Sequence, residues 1–152
     1  MNFDAYYPPI PERYLFKFAL RSILGVRNGR PLYSEPGYVH TVSFQASPEY
    51  PVVTRQDLKF TSRPIFHPNV SADGQICTEG QAVTESLGEF VLRLARMIVF
   101  ERAVTGLTRP LNSAAAEWYR ANLPLFPTDR GPLPSLDPFR LGPPVFSLGP
   151  KR

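Results

Sequence analysis

At 152 residues, 43% of them hydrophobic, the chain has the size of a single domain and enough apolar mass to bury a core, which excludes a disordered chain. Its one cysteine excludes an internal disulfide, its apolar runs are too short to cross a bilayer, and its opening lacks a charged-then-apolar leader, so no membrane and a cytoplasmic setting are expected. The net charge of +4 comes mostly from arginines spread along the chain rather than from a concentrated basic patch with interleaved aromatics, so no nucleic-acid partner is expected.

The opening "MNFDAYYPPIPER" carries Pro8, Pro9 and Pro11, which exclude a stable helix over 1–13. "RYLFKFALRSILG" is rich in apolar and aromatic residues in partial alternation, predicting a strand over 14–25. "VRNGRP" follows as a turn, with Asn28-Gly29 its strongest signal. "GYVHTVSFQA" sets Tyr38, His40, Val42 and Phe44 against Val39, Thr41, Ser43 and Gln45, a second strand. "SPEYP" breaks it, and "DLKFTS" at 57–62 is a shorter third. Three consecutive strands with short connections predict an antiparallel meander.

The second half changes period. "SLGEFVLRLARMIVF", Ser86 to Phe100, places Phe90, Leu94, Met97 and Ile98 on one face of a helix, with Ser86 and Glu89 spaced as a capping box. Asn112 begins "NSAAAEWYRAN", a short capped helix carrying Trp118 and Tyr119. Beyond Asn122 there are eight prolines in 30 residues, so that stretch is expected to be non-helical and extended, either disordered or laid along a surface. Strands first and helices later predict an α+β fold, a meander sheet covered by helices on one face. The expected organisation is a proline-rich segment at 1–13, a core at 14–122 and a proline-rich tail at 123–152. No internal repeat is visible.

Four chemistries compete for Cys77. A metal centre needs about four ligands, and Cys77 with His40 and His67, at no ligand spacing, supplies too few; no metal or other cofactor is expected. A protease-type nucleophile usually sits at a helix N-terminus that lowers its pKa, whereas Cys77 follows "DGQI" well before the helix at 86. A buried, inert cysteine is the plain structural alternative. The fourth is a thioester carrier, which needs an exposed thiol able both to attack and to leave, without a strongly depressed pKa.

The flanking residues bear on this choice. His67-Pro68-Asn69, Asp73-Gly74 and Ile76-Cys77 resemble the active-site segment of ubiquitin-conjugating enzymes, where an HPN tripeptide precedes the thioester cysteine at this spacing. "GYVHTVSFQASPEYP", "LKFTSRPIFHPN" and "RPLNSAAAEWY" resemble further elements of that family, extending the likeness over residues 14–122. The resemblance implies a ubiquitin-conjugating-enzyme fold and an enzyme that takes a ubiquitin-like modifier from an activating enzyme onto Cys77. It then passes the modifier to an amine, a lysine of a target protein. Asn69 is then a donor to the oxyanion formed on amine attack or, equally, a brace of its loop. His67 is a buried loop brace rather than a general base, Pro68 fixes the backbone, and Asp73-Gly74 makes the tight turn that presents Cys77. Glu79 matches an acidic position in several relatives, where it either attracts a lysine ammonium or is simply solvated.

The departures matter as much. The resemblance departs in what is expected at the ends, with no counterpart expected for the helix that relatives carry at the start or the helices they carry at the end, and "ESLG" (Glu85 to Gly88) stands in place of a Trp-Ser-Pro-Ala ligase loop. "VVTRQD" replaces the family's proline pair after "YP". Arg109 occupies the position before Pro-Leu where relatives often have Asp or Ser, and it cannot be a base at neutral pH; it either grips a carboxylate or the modifier's tail, or is a surface residue. This stripped-down form resembles the conjugating enzymes of bacterial ubiquitin-like systems, some of them in antiviral defence operons. The alternative from another class is an inactive conjugating-enzyme-like adaptor that binds modifier or activating enzyme without forming a thioester.

Overall fold

The computed structural model describes residues 13–45, 57–78, 86–133 and 146–150. The expectations for 1–12, for the break at 46–56, for Glu79, for residue 85 of the "ESLG" stretch and for the tail over 134–145 and 151–152 lie outside these. Four strands form one antiparallel sheet: β1 (Arg13–Phe18), β4 (His40–Gln45), β5 (Asp57–Phe60) and β6 (Phe146–Pro150), in the order β5-β4-β1-β6. The alternation in the sequence decides which face is covered. Phe16, Phe18, His40, Val42, Phe44, Leu58 and Phe60 all point inward and are buried, while Lys17 and Lys59 are exposed on the other face. The register places Phe16 opposite Val42 and Val42 opposite Phe60.

Helix α1 (Leu87–Ile98) lies on the inward face, burying Phe90, Val91, Leu94, Ala95, Met97 and Ile98. Its start is the expected capping box: Glu89 N–H donates to Ser86 Oγ at 3.2 Å, and Ser86 N–H donates to Glu89 Oε2 at 3.0 Å. Phe90 stacks into the sheet, its ring centroid 4.8 Å from that of Phe44, which in turn lies 6.0 Å from Phe16. The layout is α+β with an antiparallel sheet, as the period change at 86 predicts.

The strand expected over 14–25 is in fact two. β1 ends at Phe18 and β2 (Ile23–Arg27) starts after a break, pairing with β3 (Arg30–Tyr33) in a separate two-stranded sheet. Polar groups from far along the chain enforce the break. The Leu20 carbonyl binds His40 Nε2 at 2.9 Å, Ser22 N–H donates to Ser34 Oγ at 2.9 Å, and Ser22 Oγ donates to the Ile98 carbonyl at 2.6 Å. The apolar pattern runs through this corner without a mark. The Asn28-Gly29 turn is present, with φ of +51° and +75°, the left-handed pair that a tight hairpin requires.

Helix α2 (Ser113–Ala121) is capped by Asn112, whose Oδ1 accepts from Ala115 N–H at 3.0 Å. It closes a second apolar cluster in which Ile23, Phe100 and Tyr119 are buried with Val26, Tyr33, Phe66, Leu107, Trp118 and Phe126 around them. Phe100 of this second cluster turns just after α1 with a φ of +61°, an uncommon conformation for an aromatic residue.

The proline-rich stretch contributes to both clusters. Phe126 places its ring 4.9 Å from Phe100 and 4.6 Å from Tyr119, and Leu133 packs on the first cluster. Thr128 N–H donates to the Val99 carbonyl at 2.9 Å, and Arg21 N–H to Asp129 Oδ2 at 3.0 Å. One 3-10 turn, Leu123–Leu125, departs from the expectation of a wholly non-helical tail, because Pro124 suits the first turn of a helix. Further on, β6 pairs with the free edge of β1, Phe16 opposite Leu148, so the meander gains a fourth strand. Among the described residues no helix is long and apolar enough to cross a membrane.

Candidate functional site

After β5 the chain turns back under the sheet, and Phe66 N–H donates to the Ile23 carbonyl at 2.7 Å. His67 is fully buried, 4.5 Å ring to ring from Phe100. Its Nδ1 accepts from Asn69 N–H at 2.9 Å, which puts the proton of the neutral ring on Nε2. Burial drives its pKa down to about 3, with the Met97 carbonyl offsetting only part of that, and Nε2 has no partner at hydrogen-bonding geometry among the described residues. A base this weak is poorly matched to neutral pH. The Pro68 carbonyl accepts from Leu111 N–H at 2.9 Å and Asn112 N–H at 3.2 Å, tying the HPN turn to the start of α2.

Asn69 is 5% exposed and uses both ends of its amide. Nδ2 donates to the Cys77 carbonyl at 3.0 Å, and Oδ1 accepts from Gly106 N–H at 2.9 Å. Its own carbonyl accepts from Cys77 N–H at 2.9 Å. Between these two residues the chain makes a tight excursion: Val70 pairs with Ile76, and Gly74 N–H donates to the Ser71 carbonyl at 3.0 Å. Gly74 has a φ of +92°, and a Cβ there would meet the Phe60 carbonyl oxygen at 3.2 Å; only glycine fits comfortably. Asp73 is exposed and accepts from Ser71 Oγ, which is the main reason its carboxyl is held below the usual carboxylate range.

Cys77 is half-buried and faces a groove of about 430 Å³ whose walls include Asn69, Arg93, Met97, Thr105 and Gly106. One wall comes from α1 and another from the 103–108 stretch. The structure thus draws Cys77, Asn69, His67, Pro68, Asp73 and Gly74 into one loop. Arg109 is exposed and does not line the groove, although its neighbours Leu111 and Asn112 bind the Pro68 carbonyl. Asn69 braces the loop through one N–H, and its second amide hydrogen has no acceptor among the described residues.

His40, the other histidine, is also buried, with its pKa lowered by burial. Its Nε2 binds the Leu20 carbonyl at 2.9 Å, so it belongs to the sheet core. Among the described residues no cluster of His, Cys, Asp or Glu could hold a metal ion. Sequence reasoning missed Arg93 and Gly106. Arg93 carries a mild signal as a charged residue among buried neighbours on the apolar helix. Gly106 carries none, since its role is a backbone N–H reaching a side chain 37 positions away.

No protein-family model and no curated protein matches the chain. Among solved structures it is similar to the E2 domain of a Toxoplasma gondii ubiquitin conjugating enzyme, with 25% identity, a TM-score of 0.43 and coverage of 60% of this chain. The chain spans 63% of that structure's length.

Proposed function

We propose that this protein is a ubiquitin-like-protein conjugating enzyme in which Cys77 carries the modifier's C-terminal glycyl group as a thioester. The observation that carries this is the closed set of bonds between the HPN turn and the cysteine. Asn69 and Cys77 are held backbone to backbone and side chain to backbone, with Gly106 completing the clamp, beside a groove of about 430 Å³. The HPN-to-cysteine spacing supports it from the sequence.

In the first step the Cys77 thiolate attacks the thioester carbonyl on the activating enzyme, and that enzyme's thiolate leaves. In the second an acceptor amine attacks the new thioester and Cys77 leaves. The Asn69 amide hydrogen that has no acceptor among the described residues is the group offered to the oxyanion; loss of one such donor typically costs about 2.7–4 kcal/mol. His67 is buried and too weakly basic to take the proton. Glu79, two residues beyond Cys77, is the acidic group of this chain that attracts the acceptor ammonium in this reading. The partners implied are a ubiquitin-like modifier, an activating enzyme and a target protein, in a cytoplasmic bacterial system of the kind found in antiviral defence.

Incubation with a ubiquitin-like modifier and an activating enzyme from the same organism, plus ATP, should yield a thiol-sensitive adduct that Cys77→Ser converts to a stable oxyester. Absence of any adduct would overturn the proposal. Full biological activity in Cys77→Ala would favour the non-catalytic adaptor instead.

A further inference from the structure

The hairpin of β2 and β3 packs one face on the second apolar cluster through Val26 and Tyr33 and leaves the other to solvent. Its register sets Gly25 opposite Leu32, Val26 opposite Pro31 and Arg27 opposite Arg30, so Gly25, Arg27, Arg30 and Leu32 share the solvent face. Arg63 reaches the same face: a Cβ on Gly25 would meet its guanidinium and the Leu32 side chain, each at 3.7 Å. All three arginines are exposed, and so is Leu32, at 43%. No Asp or Glu occurs over 13–34 or 58–72, and among the described residues none of the three guanidinium groups has a hydrogen bond or an ion pair. Side chains directly opposite each other have Cβ atoms about 4.5–5.5 Å apart, and like charges so placed destabilise the hairpin. Folding therefore gives no reason for setting Arg27 against Arg30. The hairpin is held at both ends all the same. Trp118 Nε1 donates to the Gly29 carbonyl at 3.2 Å at its tip, and Ser34 N–H to the Ser22 carbonyl at 2.8 Å at its base. None of these residues lines the groove beside Cys77.

We propose that this face docks an acidic segment of a partner protein, one that sets a leucine-sized apolar residue among carboxylates. Charge complementarity decides the sign of the partner, and planar guanidinium forks match carboxylates in bidentate pairs. Leu32, on the same face as the arginines, decides for protein over nucleic acid. A single strand binds by stacking its bases on aromatic rings, and this face carries none. A duplex bound through its phosphates would leave Leu32 without a counterpart. Because the tip and base of the hairpin are already fixed, little ordering is lost on docking. The face and the groove share no residue, so docking does not depend on the reaction at Cys77.

The test follows the fluorescence anisotropy of a labelled peptide, Asp-Glu-Glu-Leu-Glu-Asp-Glu-Leu, titrated with the full chain. Binding should weaken as salt is added and disappear when the peptide's acids are replaced by their amides. The double variant Arg27→Gln/Arg30→Gln should weaken binding by about tenfold or more, as for loss of charge-assisted hydrogen bonds. Its melting temperature should hold or rise, because the repelling pair is gone. Arg63→Gln and Leu32→Ser should each weaken binding by a smaller factor. Arg102→Gln/Arg130→Gln removes the same charge from exposed positions off the hairpin and should leave binding nearly unchanged. No binding of the peptide, an equal loss in that control, or no loss in the hairpin variants would overturn the proposal. So would a lower melting temperature accompanying the loss, which would give the arginine pair a folding role. Tighter binding of labelled oligothymidylate or of a DNA duplex than of the peptide would overturn it in favour of nucleic acid. All of this is read on the uncharged chain, so failure here leaves the thioester reading standing.

Discussion

Around α1 the sheet is closed by rings and aliphatic chains, whereas around Cys77 the same chain is closed by polar groups with one specific partner each. Phe16, Phe44 and Phe90 touch many neighbours, any of which can shift slightly. The Asn69 amide has one carbonyl on one side and one N–H on the other. Apolar burial is non-directional and tolerates swaps that keep volume. A buried polar clamp does not, since each lost partner leaves a desolvated group behind. The first region supplies stability and the second spends some of it on holding a sulfur and its carbonyl in a fixed place.

The largest expected effect tests the apolar side. Phe90→Ala should lower unfolding free energy by about 3–5 kcal/mol, while Leu94→Met should cost less than about 1.5 kcal/mol, both measured by urea denaturation. Removing 123–152 should lower the melting temperature too, because Phe126 and Leu133 pack on the two clusters; an unchanged melting temperature would show that the tail contributes nothing to the fold.

On the polar side, Asn69→Leu keeps the volume but strands the Cys77 carbonyl and Gly106 N–H, at about 1–3 kcal/mol for each buried group. A cost below that of Leu94→Met would erase the contrast between the regions. Acid should act through the histidines. His67 has a folded pKa of about 3 against an ordinary 6.5, so as pH falls below 6.5 the unfolded chain takes up a proton that the folded chain refuses. Its contribution is complete above that pH and is lost progressively toward 3, amounting to about 2 kcal/mol by pH 5. His40 shifts in the same direction. Urea midpoints at pH 7.5 and 5 should show the drop, and a pH-independent midpoint would contradict the burial of both rings. Smallest of all, Ser86→Ala should cost about 1 kcal/mol by removing the cap of α1, with no change at the groove.

The regions also differ in how far the sequence exposes them. Both helices, their caps, the Asn28-Gly29 turn and the inward residues of β4 are legible because each depends on neighbours within four positions. The strand over 14–25 misled because its apolar pattern continues through residues 19–22, where Ser22 answers to Ser34 and Ile98. β3 escaped notice because four residues containing Pro31 make a weak strand signal. At the site, the spacing of His67, Asn69 and Cys77 is visible in one line of sequence. What Asn69 touches is not.

The sequence by itself determined the period of each element, the turn that only Gly74 accommodates and the order in which HPN and the cysteine follow β5, since these are properties of chemically local stretches. The tertiary structure alone decided that Gly106 completes the Asn69 clamp and that α1 and the 103–108 stretch wall a groove beside Cys77. Each of these depends on backbone groups or faces brought together from distant parts of the chain. Burial then fixes them, because a buried N–H or carbonyl must find a partner wherever the fold places one.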